Sequence, residues 1–163
     1  MLIFGIDPGS VVTGFGVVEA RRGRIRFVDG GCIKTKSSEP MEQRLLKIHT
    51  GLAKALARRT VDAVAIEAIF RHKSSESALR LGQARGVALL AAAQAGYTPF
   101  EYNAMTVKAT VGAHGRADKK AVAKMVHMLL GHVPDGPADV TDALAIAITH
   151  CTHARSHRLR GVG

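Results

Sequence analysis

Four acids carry the chemistry this chain could do. Asp7 closes the apolar run Leu2–Ile6 just before Pro8 and Gly9, and Glu67 closes the run Val61–Ile66. Asp139 and Asp142 lie three apart at the start of a helical stretch, which puts them on one face of it. The chain holds 23 Lys plus Arg against 13 Asp plus Glu, a formal charge of +10. In such a chain, carboxylates gathered together repel one another unless a cation sits between them. Hard oxygen ligands of this type suit Mg²⁺ or Mn²⁺, and two such ions can share four carboxylates. Local readings compete with this one. Asp139-Val-Thr-Asp142 also fits a helix start in which Asp139 caps and Asp142 suits the dipole, and Asp7 also suits a turn before Pro8. Glu67 is harder to dismiss, because an acid directly after a buried apolar strand is an unusual way to end one.

The elements that must position these acids follow from periodicity. Leu2–Ile6, Thr13–Ala20 and Arg24–Ile33 read as strands, the last two joined through Arg21-Arg22-Gly23 as a hairpin with a basic tip. Met41–Leu56 carries Leu45, Ile48, Leu52 and Leu56 at helical spacing, with Glu42, Arg44, Lys47 and Lys54 on the other side. Val61–Ile66 is a fourth strand, covered on both faces. Ser75–Gly96 is a long helix with Ser74 or Ser75 as its cap and Gly96 as its stop, and Tyr97–Tyr102 is a fifth strand. Residues 107–117 hold Lys108, Gly112, His114, Gly115 and Arg116 without clean periodicity and are expected to form a mobile basic loop. Asp118 caps a helix through Val122, Met125, Val126, Leu129 and Leu130, and a last helix runs from about Ala138 to His153.

The order β-β-β-α-β-α-β-α-α predicts an α/β fold, a mixed five-stranded sheet flanked by helices. It forms one domain over residues 1–154, followed by a basic tail, 155–163, expected to fray. Ligands of open α/β sheets bind outside the carboxyl ends of the strands, where Asp7 and Glu67 lie. The charge balance calls for an anionic partner. Two cysteines and no leader-like opening predict a reduced, cytoplasmic protein. The longest apolar run, Gly86–Ala93, is far short of the roughly 20 residues that span a bilayer, so no membrane is involved. His150, Cys151, His153 and His157 lack the paired motif of a zinc site. Arg21, Arg22, Arg24 and Arg26 read as a solvated hairpin.

Several blocks resemble one family: Gly5-Ile-Asp7-Pro-Gly9 with Thr13-Gly14, Ala65-Ile-Glu67 with Phe70, the stretch Ser77–Val87, and Ala138-Asp139 with Asp142 through His150. In this order, and over almost the whole chain, they resemble the RuvC-type Holliday junction resolvases. The resemblance implies an RNase H-like fold, a homodimer, and a metal-dependent endonuclease. Such an enzyme nicks four-way DNA junctions symmetrically, leaving 5′-phosphate and 3′-hydroxyl ends, in recombination and repair alongside a RuvA and RuvB branch-migration complex. It assigns Asp7, Glu67, Asp139 and Asp142 to a site for two Mg²⁺ or Mn²⁺ ions. The resemblance also implies that Lys108 and Lys119 lie near the scissile phosphate, with Lys120, Arg116 and His114 adding charge in the same loop. Here the spacing of His114 and its glycines departs from the commoner family pattern. Phe70, flanked by Arg71 and Lys73, is expected to stack on an unpaired base at the branch point. The Ser77–Val87 helix, with Gly82, Ala84, Gly86 and Ala91–Ala93, is implied as part of the dimer interface. A YqgF-type nuclease shares the first motif but lacks the Ser77–Val87 block. A non-catalytic junction-binding protein would leave the acids without a use, and an actin-like ATPase would need a second lobe.

Overall fold

The computed structural model describes residues 1–68, 74–112, 117–131, 133 and 137–160, the last five of these by backbone alone. Strands β1 (Leu2–Asp7), β2 (Val12–Arg21) and β3 (Arg24–Lys34) precede helix α1 (Met41–Leu56) and strand β4 (Ala63–Ala68). Then come α2 (Ser75–Gln94), β5 (Phe100–Asn103), α3 (Ala104–Val111), α4 (Lys119–Leu130) and α5 (Ala138–Arg160). The sheet order is β3-β2-β1-β4-β5, with β1–β2 and β2–β3 antiparallel and β1–β4 and β4–β5 parallel.

The two-residue period of a strand decides which face each acid sees. On β1, Phe4 and Ile6 are buried with Ile48 and Leu52 of α1 and Ala84 and Ala88 of α2. Ile3 is buried on the opposite side, with Leu144 and Ile148 of α5. On β4, Val64 and Ile66 join the α1–α2 layer while Ala63 and Ala65 join the α5 layer. The parallel register sets Ile3 against Ala63 and Gly5 against Ala65. Asp7 and Glu67 are the next odd positions in that register, so both end on the α5 side of the sheet.

Local signals terminate the elements as expected. The Ser74 side chain accepts from Ser77 N–H at the start of α2, and Asp118 Oδ1 accepts from Ala121 N–H at 2.7 Å at the start of α4. After α2, Gly96 at φ +85° lets its own N–H reach Ala93 O while Tyr97 N–H reaches Ala92 O, the paired C-terminal bonds that stop a helix.

Five expectations are corrected. Residues 104–111 are helix α3, with Asn103 Oδ1 accepting from Thr106 N–H at 2.8 Å and Val107 and Val111 buried one turn apart. Burial against α4 and α5 holds a helix too short to form alone. Lys119 and Lys120 belong to the first turn of α4 and not to a loop. Strands β4 and β5 are shifted towards the C-terminus, so Glu67 lies inside β4, opposite Tyr102. Helix α5 continues past His153 to Arg160. Arg44 is not on a solvent side of α1 but 2% exposed.

Helix α2 also turns differently from the implied interface. Ala84, Ala88, Ala91 and Ala92 are at most 1% exposed and face the protein's own α1 layer, whereas Leu79 and Leu90 are 63% and 51% exposed. Ala84→Glu is therefore expected to unfold the chain, because a carboxylate would enter an apolar layer unpaired. Thermal melting checks this: a variant with unchanged melting and weakened self-association would place Ala84 on the outside.

Candidate active site

A cavity of about 220 Å³ opens at the carboxyl ends of β1 and β4, lined by Asp7, Glu67, Asp142, Lys108 and Lys119 among others. β1 brings Asp7, β4 brings Glu67, α5 brings Asp142, and α3 and α4 each bring one lysine. Asp139 does not line this cavity, yet its charge is felt at Asp7. All four acids are half-buried.

Close backbone approach makes the meeting of α5 with β1 and β2 possible. A Cβ on Gly5 would lie 2.1 Å from Ala143 O, and one on Gly14 would lie 2.1 Å from Asp139 O. Gly14 pairs with Asp7 in the β1–β2 register. The first turns of α5 thus rest directly on the backbone beside Asp7, at a distance that only glycine permits.

Electrostatics mark the cluster as short of positive charge. The Asp7 carboxyl is pushed up to about 8, first by burial, then by the charges of Glu67 and Asp142, with the Glu67 hydrogen bond and Asp139 adding to it. Without a cation, Asp7 therefore keeps its proton at neutral pH. Lys119 Nζ donates to Asp142 Oδ2 at 3.0 Å, and this bond, then the Asp142 charge, holds the ammonium above its usual range. Two lysines at the N-terminal end of α4 oppose the helix dipole, and the carboxylates give Lys119 its reason to be there. Among the described residues, no three His, Cys, Asp or Glu side chains already stand closed around one point as metal ligands. The donor set nevertheless fits a hard divalent cation: oxygen ligands only, one of them held protonated first by burial and then by the charges beside it. Asp142 would exchange its bond to Lys119 for the ion.

Arg44 is a positioning residue that the sequence reading missed. Its Nε and Nη2 donate to Ser10 O, the former at 3.0 Å, and Nε also lies 3.3 Å from Thr35 Oγ1. It thereby pins the turn that leaves Asp7. The only signal in sequence is a basic residue next to the Leu45 face of α1. Arg44→Met should cost about 1–3 kcal/mol, because Ser10 O loses both guanidinium donors and keeps only the Thr35 hydroxyl. It should also lower the turnover of this site per folded molecule, measured with melting on one sample; unchanged turnover would limit Arg44 to stability.

Of the DNA-contacting residues expected from sequence, Lys108 and Lys119 line the cavity and Lys120 is exposed beside it. Phe70, Arg71, Lys73 and Arg116 lie outside the described residues. No helix among the described residues is long and apolar enough to cross a membrane.

Comparison with known proteins bears on these observations. The family model for crossover junction endodeoxyribonuclease RuvC matches residues 3–150. The chain is 44% identical over 163 residues to the protein of that name from Geobacter sp. (strain M21), covering 99% of each. It is 48% identical over 159 residues to that of Myxococcus xanthus, covering 96% of this chain and 83% of the other. Its fold superposes on T. thermophilus RuvC in complex with Holliday junction substrate with a TM-score of 0.90 at 38% identity, over 96% of each chain. A yeast mitochondrial Holliday junction resolvase, at 12% identity and a TM-score of 0.64, shares the fold alone. The mixed sheet and its flanking helices are RNase H-like. With the acids of β1, β4 and α5 meeting at one cavity and the match running nearly end to end, the chain belongs to the RuvC family of crossover junction endodeoxyribonucleases.

Proposed function

We propose that the protein resolves Holliday junctions by paired, symmetric nicks, using Asp7, Glu67, Asp139 and Asp142 to hold two Mg²⁺ or Mn²⁺ ions. The observation that carries this is the convergence of Asp7, Glu67 and Asp142 with Lys108 and Lys119 on one cavity, in a chain of net charge +10. Nucleases of this family are metal-dependent. Held by Asp7, Glu67, Asp139 and Asp142, such ions would supply Lewis-acid stabilisation of the attacking water and of the leaving 3′ oxygen. Water oxygen bonds to phosphorus, the bond from phosphorus to the 3′ oxygen breaks, and the proton lost by water is matched by one gained on that oxygen. The products carry 5′-phosphate and 3′-hydroxyl ends.

The protein's own groups bind and orient. Lys119, freed from Asp142, and Lys108 neutralise the scissile phosphate from one side of the cavity. Lys120 and Arg116 extend the charge along the strand. Phe70 stacks on an unpaired base near the branch point, with Arg71 and Lys73 on the backbone beside it. Two active sites related by a two-fold axis suit a substrate that is itself two-fold symmetric. The exposed stripe of α2, where Leu79 and Leu90 flank Gly82 and Gly86 with open space above both glycines, supports a homodimer through this helix. A RuvA and RuvB complex is the partner in the cell, and the reaction takes place in the cytoplasm. The test is a synthetic four-way junction incubated with Mg²⁺ or Mn²⁺, with linear duplex and ATP as controls and sedimentation for the oligomeric state. Symmetric nicks in the junction alone support the reading. Cleavage without metal, or equal cleavage of duplex, overturns it.

A further inference from the structure

At the other end of β1 lies a cavity of about 320 Å³, between the tip of the β2–β3 hairpin and the last described side chains of α5. Its rim carries Arg21, Arg22 and Arg24 from the hairpin and Arg155 from α5, over a floor that includes Ile25 and Ala154. Among the described residues, Arg44 is held by the Ser10 carbonyl and five other arginines pair with carboxylates: Arg26 with Glu19, Arg58 and Arg59 with Asp29, Arg80 with Glu76, and Arg85 with Glu101. The four around this cavity have no carboxylate partner among the described residues. Arg22 stands at φ +51° in the two-residue turn, followed by Gly23 at φ +80°. That position favours Asn, Asp or Gly. Charge of one sign is thus gathered around a hollow, with Glu19 acting on Arg21 without an ion pair and no ion pair closing the rim among the described residues, as carboxylates are gathered at the opposite end.

We propose that this cavity docks an acidic segment of a partner protein, with one apolar side chain on Ile25 and Ala154 and flanking carboxylates on the guanidinium rim. A cation rim over an apolar floor selects a ligand that is anionic at its edges and apolar at its centre. Nucleic acid fits less well. No aromatic ring among the described residues lines the hollow to stack a base, and a duplex presents its phosphates as a track. The site is also the length of β1, six residues or about 20 Å, from the carboxylates where DNA would be cut. The inference does not depend on the nuclease reading, because none of its residues touches that site.

The probe is a fluorescein-labelled peptide of Asp and Glu around a central Leu, compared with the same peptide carrying Asn and Gln, on the full-length protein. Binding of the acidic peptide alone, weakening as salt rises, is expected. Arg24→Glu with Arg155→Glu should lower that affinity by about tenfold or more. Melting, and the affinity for a four-way junction in EDTA, should stay unchanged. Absence of acidic-peptide binding at millimolar concentration, or equal binding by the double variant, overturns the proposal. A parallel loss of junction affinity in the variant reassigns the rim to DNA and overturns it too.

Discussion

Asp7→Asn is expected to lower junction cleavage by about 10³-fold or more, since it removes one ligand of a charge-stabilising metal site worth several kcal/mol. Junction binding in EDTA should persist, because the Asp7 carboxyl is already protonated there and its replacement by an amide leaves the charge facing the phosphates unchanged. The same variant has a signature independent of activity. Folding raises the Asp7 carboxyl from its ordinary 3.8 to about 8, chiefly through burial and the Glu67 charge. Between those values the folded protein binds a proton that the unfolded chain has released. The contribution is therefore fully present below about pH 4, falls as pH rises through 8, and is lost above it. In EDTA, the wild-type protein should lose stability across this range, on the order of a few kcal/mol, while Asp7→Asn should not. Melting from pH 5 to 9 reads the difference, and Mg²⁺ or Mn²⁺ added at pH 8 should raise the wild-type melting temperature more than the variant's. Near-normal cleavage by Asp7→Asn would remove Asp7 from the metal site.

Gly14→Ala should be nearly as damaging without touching an ionisable group. Its new methyl would stand 2.1 Å from Asp139 O, a distance that no side-chain adjustment relieves, because the obstacle is backbone. Either α5 lifts from β2 or the strand bends. Overpacking of this kind costs about 1–3 kcal/mol in stability. Shifting the first turn of α5 also carries Asp139 and Asp142 away from Asp7, and a displacement of about 1 Å at a reacting centre can cost 10²-fold in rate. Melting with turnover at saturating Mn²⁺ tests this: a folded variant of normal activity would show that close contact between α5 and β2 does not position the acids.

Most of the frame was legible because its signals act over a few residues. The apolar run Leu2–Ile6 marks β1, the spacing Leu45, Ile48, Leu52, Leu56 marks α1, and Ser74, Gly96 and Asp118 end or begin helices through bonds to backbone three to five residues away. The four acids stood out against the +10 charge before any geometry was known. Helix α3 escaped because Val107 and Val111 leave little contrast between its faces, and its stability comes from α4 and α5. Arg44 escaped because a basic residue beside an apolar face is ordinarily solvated; only the arrival of the Ser10 carbonyl, 34 positions away in sequence, makes its burial favourable. Likewise, Ala84 and Ala91 could face a partner or the core on propensity alone, and the crossing of α1 against α2 decided for the core. The hairpin arginines, read in sequence as a solvated tip, became the rim of a hollow only when Arg155 came in from the far end of the chain. Residue types and short-range periodicity determined the strands, most helices and the acids of the site. Long-range contacts decided which helix faces are buried and which charges meet, since those depend on where distant segments pack against one another.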